Sequence, residues 1–181
     1  MPRRSMVWIM TPTTLSGTPP AHEPEGLTAF KQAFRRHAAG VAIITARQGD
    51  GTPVGFTATS LASLAAVPPL ATFNMARIAS AWPAIESTDR VIIHLLGMRN
   101  QQVAEKLSGP HADRFVGDHW TVGPHGLPLL NDVTAWMVGR IVERVPVAAN
   151  AIVAVEIESG GLGEPDDALV YHERRYTRPE P

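Results

Sequence analysis

Between Gly55 and Ser80 the chain reads GFTATSLASLAAVPPLATFNMARIAS, setting Thr57, Thr59, Ser60, Ser63 and Ser80 among small apolar residues, with Arg77 as the only charge. In an extended strand the side chains alternate, so Thr57, Thr59 and Ser63 share one face while Phe56, Ala58 and Ser60 point to the other. Solvated threonines on an edge strand would account for this pattern, since threonine is a good β former. Against that, the flanking residues are small and apolar, as though a bulky group lay on them. Small side chains, hydroxyls and accessible backbone N–H groups suit a flat heteroaromatic ring with polar edges. Further on, NMARIAS brings Arg77 and Ser80 to the predicted start of a helix. Free N–H groups, a positive dipole end and a cation can together hold a phosphate there. A ring site followed roughly twenty residues later by a phosphate site is what a flavin nucleotide requires.

Other chemistry is thinly represented. There is no GxSxG elbow and no P-loop, and GGLGEP (160–165) precedes no helical pattern, so it reads as a turn. His111, His119 and His125, with Asp113 and Asp118, match no zinc spacing and fall in a predicted loop; no metal is expected. His94 lies in an apolar strand, where a hydrogen-bonded core or pocket-wall histidine is preferred to a catalytic one.

The elements that must position these residues follow from periodicity. Leu27, Phe30, Phe34 and Ala38 recur at helical spacing, predicting an amphipathic helix over 28–38 that stops at Gly40. VAIITAR, the turn QGDG and PVGFTATS predict a hairpin, and LATFNMA another strand. Ser80 is placed to cap a short helix over 81–88, with Pro83 tolerated in its first turn. RVIIHLL is a buried strand and RNQQVAEKLSG a helix ending at Gly109. After the His-, Gly- and Pro-rich loop come long strands at 133–145 and 150–159, and ALVYHERRY closes the fold. Strands without regular helical crossovers predict a mainly β, antiparallel, closed sheet with a few short helices.

Composition sets the outer limits. The 181 residues suit one domain with a full core, and a net charge of −1 argues against nucleic acid or an anionic membrane as partner. The absence of cysteine excludes disulfides, thiolate metal sites and cysteine nucleophiles, and fits a cytoplasmic location. Arg3 and Arg4 precede Val7, Trp8 and Ile9, but the apolar run ends at Met10, too soon for a signal peptide. Residues 1–25 are read as a mobile extension and 26–181 as the domain.

HAAGVAIITA, the 55–80 segment, GPHADRF and GLPLL…AW together resemble the flavin reductase family, which has the FMN-binding split-barrel fold; the likeness runs from about Phe30 to Tyr176. It implies a homodimer of split β-barrels that reduces FMN or FAD with NADH or NADPH and supplies reduced flavin to a partner monooxygenase or another acceptor. Carried over, Thr57, Ala58, Thr59 and Ser60 contact the isoalloxazine and ribityl portion, with Ser63 supporting the strand. Arg77 and Ser80 lie near the phosphate. Three positions depart from the family pattern. Ala148, Ala149 and Asn150 stand where Gly-Asp-His is common. His94 replaces a frequent Asn at a flavin-proximal place. The closing motif survives as Tyr171, His172 and Tyr176, with Arg174 near its Gly position. Asn150 and His172 are therefore the nicotinamide-side candidates. Two rival readings stand beside the reductase. One is a flavin-binding protein of this fold without reductase activity, serving as carrier, sensor or partner subunit. The other is a flavoenzyme of this fold acting on an organic substrate.

Overall fold

The chain enters through helix α1 (Leu27–Arg36) and a two-residue strand, β1 (Ala39–Gly40), in a computed structural model that describes residues 25–179. Residues 1–24 of the expected extension lie outside the described residues. α1 is amphipathic as its spacing predicts, but it buries none of its residues, leaving Phe30 and Phe34 exposed. It ends where His37 turns extended, so Gly40 is a strand residue and not the helix stop expected of it.

β2 (Ala42–Arg47) and β3 (Pro53–Ala58) form the predicted hairpin. Its turn needs Gly51 at φ 86°, a left-handed conformation open to glycine without a Cβ clash, and the Asp50 carboxylate accepts the Thr52 N–H at 2.8 Å. β4 (Ala62–Ala65) and β5 (Leu70–Ala76) flank the double proline. Then come α2 (Trp82–Ser87), β6 (Arg90–Leu95) and α3 (Gln101–Ser108). The region read as a loop contains a small ribbon, β7 (Trp120–Val122) and β8 (Pro128–Leu130). β9 (Ala135–Val147) and β10 (Asn150–Leu162) are the long strands, and β11 (Val170–His172) with β12 (Arg175–Thr177) is the closing hairpin.

Seven strands make one antiparallel sheet in the order β3-β2-β6-β9-β10-β5-β4. Bulges at Ala154/Val155 and Ile157/Ser159 break the β9–β10 register, and bulges of this kind bend long strands into a curl. Inside the curl, Ile44, Phe73, Val91, Ile93, Val153 and Val155 are buried together. A second core packs Ala104 and Leu107 of α3 against Val41 and Ile43. Among the described residues the hydrogen-bond ladder does not close on itself: β3 and β4, consecutive in the chain, form the two edges of one curled sheet, the split barrel that the family resemblance implies. Among the described residues no helix is long and apolar enough to cross a membrane.

His94 sits in β6 with no exposed surface. Its Nδ1 lies 3.1 Å from the Ile43 carbonyl, and its Nε2 accepts the Leu130 N–H at 3.1 Å. That arrangement selects the neutral ring protonated on Nδ1, pinning β8 to the sheet. Both nitrogens are committed to backbone inside the core, the hydrogen-bonded core arrangement, so the ring has no free donor or acceptor to offer a flavin.

Burial pulls the His94 pKa down from 6.5 to about 4, overcoming the opposing effect of the Ile43 carbonyl. Between those values the unfolded chain binds the extra proton, so stability rises with pH. This contribution is complete above the unfolded value and lost as pH falls towards the folded one. The unfolding free energy measured in urea should drop between pH 7 and pH 4.5 by about 2 kcal/mol from this group. His94→Asn, which cannot take up the proton, should flatten the profile; equal slopes in both proteins would refute the assignment.

Candidate functional site

The hydroxyl-rich segment lies where the chain changes partners. Up to Ala58 it pairs with β2, and from Ala62 it pairs with β5. Backbone groups leaving a ladder must find other partners or water. The Ser60 hydroxyl meets that need: it accepts the Asn74 N–H at 2.9 Å and donates to the Asn74 carbonyl at 3.2 Å, extending the register Ala62↔Thr72 by a side chain. The Thr57 hydroxyl donates to the Ala104 carbonyl of α3 at 3.1 Å. Ala58 is buried in the barrel core, so only its backbone is available from outside. Of the four expected ring contacts, Thr57 and Thr59 alone line a cleft, Ser60 is a clasp and Ala58 is a core residue. Ser63 is exposed on β4.

That cleft, about 340 Å³, is completed by Ser108 and by Tyr171, Arg174 and Tyr176 of the closing hairpin. The two tyrosine rings meet edge to face, 5.4 Å apart. Desolvation raises the Tyr176 pKa, only partly offset by its hydrogen bond to Ser108, so its phenol is neutral at physiological pH. Aromatic faces beside hydroxyls can hold a planar ring and its polar rim.

A different set gathers past the end of β5. Ser80 does not cap α2. The chain enters that helix through turns in which the Ala79 N–H bonds Ala76 and the Trp82 N–H bonds Ala79, leaving Ala81 as the N-cap without a side-chain bond. The Ser80 hydroxyl instead lies 3.5 Å from Nη1 of Arg114. Arg114 donates from Nη1 to the Gly55 carbonyl at 2.9 Å and from Nε to the Gly109 carbonyl at 3.0 Å, spanning the gap between β3 and the chain after β5. The Arg77 guanidinium stands 5.9 Å over the Trp82 ring. Neither arginine has a carboxylate partner among the described residues. Arg114 has no place in the sequence-based site; its position inside GPHADRF was the available signal.

The two nicotinamide-side candidates are not brought together. Asn150 opens β10 opposite Ala76, beside the Ala149 carbonyl that accepts the Arg77 N–H. His172 lies on β11, in the hairpin next to the tyrosine cleft. Of the loop histidines, His119 is 2.8 Å from the Arg114 carbonyl through Nε2, and among the described residues no three His, Asp or Glu side chains converge on a metal geometry.

Residues 34–180 match the family model described as flavin reductase like domain. An NADH:FMN oxidoreductase from Rhodococcus qingshengii is 36% identical over 157 residues, covering 84% of this chain and 81% of that protein. An actinorhodin polyketide dimerase from Streptomyces coelicolor is 31% identical over 148 residues, covering 82% of this chain and 84% of that one. The crystal structure of a flavin reductase domain protein from Arthrobacter sp. FB24 superposes with a TM-score of 0.82 at 50% identity, covering 85% of this chain and 96% of its own. A match that spans both the strand switch at Ser60 and the closing tyrosine hairpin, joined to this backbone likeness, means that the chain belongs to the flavin reductase family.

Proposed function

We propose that the protein is an NAD(P)H-dependent flavin reductase that binds FMN or FAD and passes reduced flavin to a partner monooxygenase or another acceptor. The observation that carries this reading is the donor set: guanidinia without counterions and a hydroxyl past the end of β5, and hydroxyls with paired tyrosines at the strand switch. Two different moieties of one ligand, a phosphate and a flat ring, suit these two places. The bound flavin supplies the hydride acceptor and the nicotinamide the hydride, which is why no acid–base or nucleophilic constellation is needed. The chain's own work is placement. Thr57, Thr59 and the backbone from Ala58 to Ser60 orient the ring, Ser80, Arg77 and Arg114 hold the phosphate, and His172 or Asn150 shapes the nicotinamide side. A cytoplasmic location accords with a cysteine-free chain and a nicotinamide co-substrate.

The departure at Ala148, Ala149 and Asn150 favours a second reading, flavin binding without nicotinamide-dependent reduction. Mixing the protein with FMN and NADH or NADPH decides between them. Loss of the nicotinamide absorbance band that depends on both protein and flavin is the expected result. Retained FMN binding without that loss would move the assignment to the second reading.

Self-association follows from the outer faces of the long strands. Val142, Val145, Val147 and Ile152 are all exposed there, with Val145 directly opposite Ile152. Adjacent apolar side chains on a solvent face call for a covering surface, and a second copy of the chain supplies one. Sedimentation should show a dimer that Ile152→Asp shifts to monomer; a monomeric wild-type protein that binds FMN would remove this interface.

Ser80→Ala should weaken FMN binding by about 10-fold, the worth of a hydrogen bond to a charged group. Because Ser80 does not cap α2 and its hydroxyl lies at the 3.5 Å limit from Arg114, the melting temperature should move little. Arg77→Ala should weaken FMN binding more at low salt than at high salt, since an exposed cation is screened. Riboflavin, which lacks the phosphate, is the control, and equal losses for both ligands would overturn the phosphate assignment.

A further inference from the structure

Arg114 reaches the Ser80 hydroxyl from a stretch of chain that neither sheet nor α-helix supports. Between Gly109 and His119 the backbone runs in short turns. The Asp113 N–H bonds the Pro110 carbonyl at 3.1 Å, and the Val116 N–H bonds the Asp113 carbonyl at 3.2 Å. Among the described residues no backbone N–H reaches the carbonyls of Arg114, Phe115 or Val116. Side chains serve all three. The His119 Nε2–H donates to Arg114 at 2.8 Å, the Trp120 Nε1–H donates to Phe115 at 3.0 Å, and Lys106 of α3 donates to Val116. The segment's main-chain acceptors are thus met one after another by side chains, in place of a ladder.

These three bonds do not serve the same end. Trp120 also meets the Phe115 ring edge to face at 5.4 Å, and Phe115 fills the space that Gly55 leaves open, so that bond belongs to packing. Lys106 is a long side chain bonded where the segment is exposed. His119 has no aromatic contact among the described residues, and its ring bonds the one residue here whose guanidinium faces the candidate phosphate site. A carbonyl can only accept, so Nε2 carries the proton. The base from which His119 reaches is itself anchored. Its carbonyl accepts the Asn131 N–H at 3.0 Å, Asn131 Nδ2 donates to the Asp118 carbonyl at 2.7 Å, and the preceding Leu130 N–H is held by the buried His94. At the other end, Arg114 spends Nε on Gly109 and Nη1 on Gly55, while its Nη2 has no partner among the described residues.

We propose that His119 is a positioning residue for the flavin phosphate. By holding the Arg114 carbonyl it fixes the direction in which that side chain leaves the backbone, so that Nε and Nη1 stay on their carbonyls and Nη2 remains for the anion. The inference rests on the assignment of Arg114 to the phosphate in the reductase reading. A guanidinium already fixed at two nitrogens loses little freedom when an anion arrives, which is where the gain in affinity comes from. Losing the His119 bond therefore costs affinity for a flavin that carries a phosphate and not for one that lacks it.

Fluorescence titration with FMN and with riboflavin tests this in His119→Asn and His119→Gln, each made in the wild type and in Arg114→Lys. The Asn amide is too short to reach the Arg114 carbonyl, whereas the Gln amide nitrogen stands about where Nε2 does. His119→Asn should weaken FMN binding about 5- to 10-fold and leave riboflavin binding unchanged, and His119→Gln should restore FMN binding to within about 2-fold of wild type. In the Arg114→Lys background His119→Asn should add less than about 2-fold, because residues that act through one another are not additive. Unchanged FMN binding in His119→Asn, a Gln variant as weak as the Asn variant, or full additivity with Arg114→Lys would overturn the proposal. Equal losses for FMN and riboflavin, or binding of neither, would overturn it too, since His119 would then serve the fold alone. Arg114→Lys separates this inference from the one beneath it. If that substitution leaves the preference for FMN over riboflavin intact, the phosphate assignment of Arg114 falls; if it abolishes the preference while His119→Asn does not, only the positioning role falls.

Discussion

The structure depends on how a curled sheet treats its two free edges. A seven-stranded antiparallel sheet that ended in two bare edges would expose unpaired N–H and C=O groups to water and to other strands. Here the chain covers that liability by continuing β3 into β4, so one run of residues borders β2 first and β5 afterwards. Continuous ladder pairing cannot survive the crossing at Thr59–Leu61, and side chains take over. Ser60 holds Asn74 on one side of the switch, and Arg114 holds Gly55 and Ser80 on the other. The Phe56 and Phe73 rings, 5.9 Å apart, fill the space between from inside.

This way of closing the barrel also places the candidate site. A strand switch leaves backbone groups and hydroxyls accessible on a rigid support, without a dedicated loop to carry them. Gly55 belongs to the same economy of space. A Cβ there would approach Phe115 at 3.0 Å and Leu107 at 3.1 Å, so the absence of a side chain lets α3 and the GPHADRF segment lie close on β3. Arg114 reaches the Gly55 carbonyl through that close approach. Packing and ligand donors are thus provided by the same few residues, and ring contacts and seam contacts compete for the hydroxyls available.

Charge is distributed with equal consequence. On the outer sheet face Arg90 and Arg140 stand directly opposite each other, an arrangement that repels unless compensated. Glu158 and Glu156 compensate them, with Arg90 bonded to Glu158 through both its Nε and its Nη2. Arg77 and Arg114 at the seam have no such partners among the described residues. The same molecule neutralises its cations where they serve the sheet and leaves them unneutralised where an anionic ligand is proposed to bind, a contrast visible only when both faces are considered together.

The sequence by itself determined what local periodicity and composition can encode. The strands at AIITAR, LATFNMA and RVIIHL, the amphipathic spacing of α1, the antiparallel class and the family motifs were legible, because alternation and helical spacing are properties of neighbouring residues. Hydroxyl enrichment at 57–60 was legible too, but the job of each hydroxyl was not. Whether Ser60 faces a ligand or Asn74 is decided by the switch of strand partners, a contact fourteen residues away. Ser80 carried a reasonable capping signal, yet the turn at Ala79 put the cap one residue later. His94 could not be resolved between wall and core, because its two partners, Ile43 and Leu130, come from strands 51 and 36 residues distant. The junction of α1 with the C-terminal hairpin gave no sequence signal at all. Pairing of β1 with β11 joins opposite ends of the fold, and the free energy that selects such a contact comes from the packed whole, not from any window of the chain.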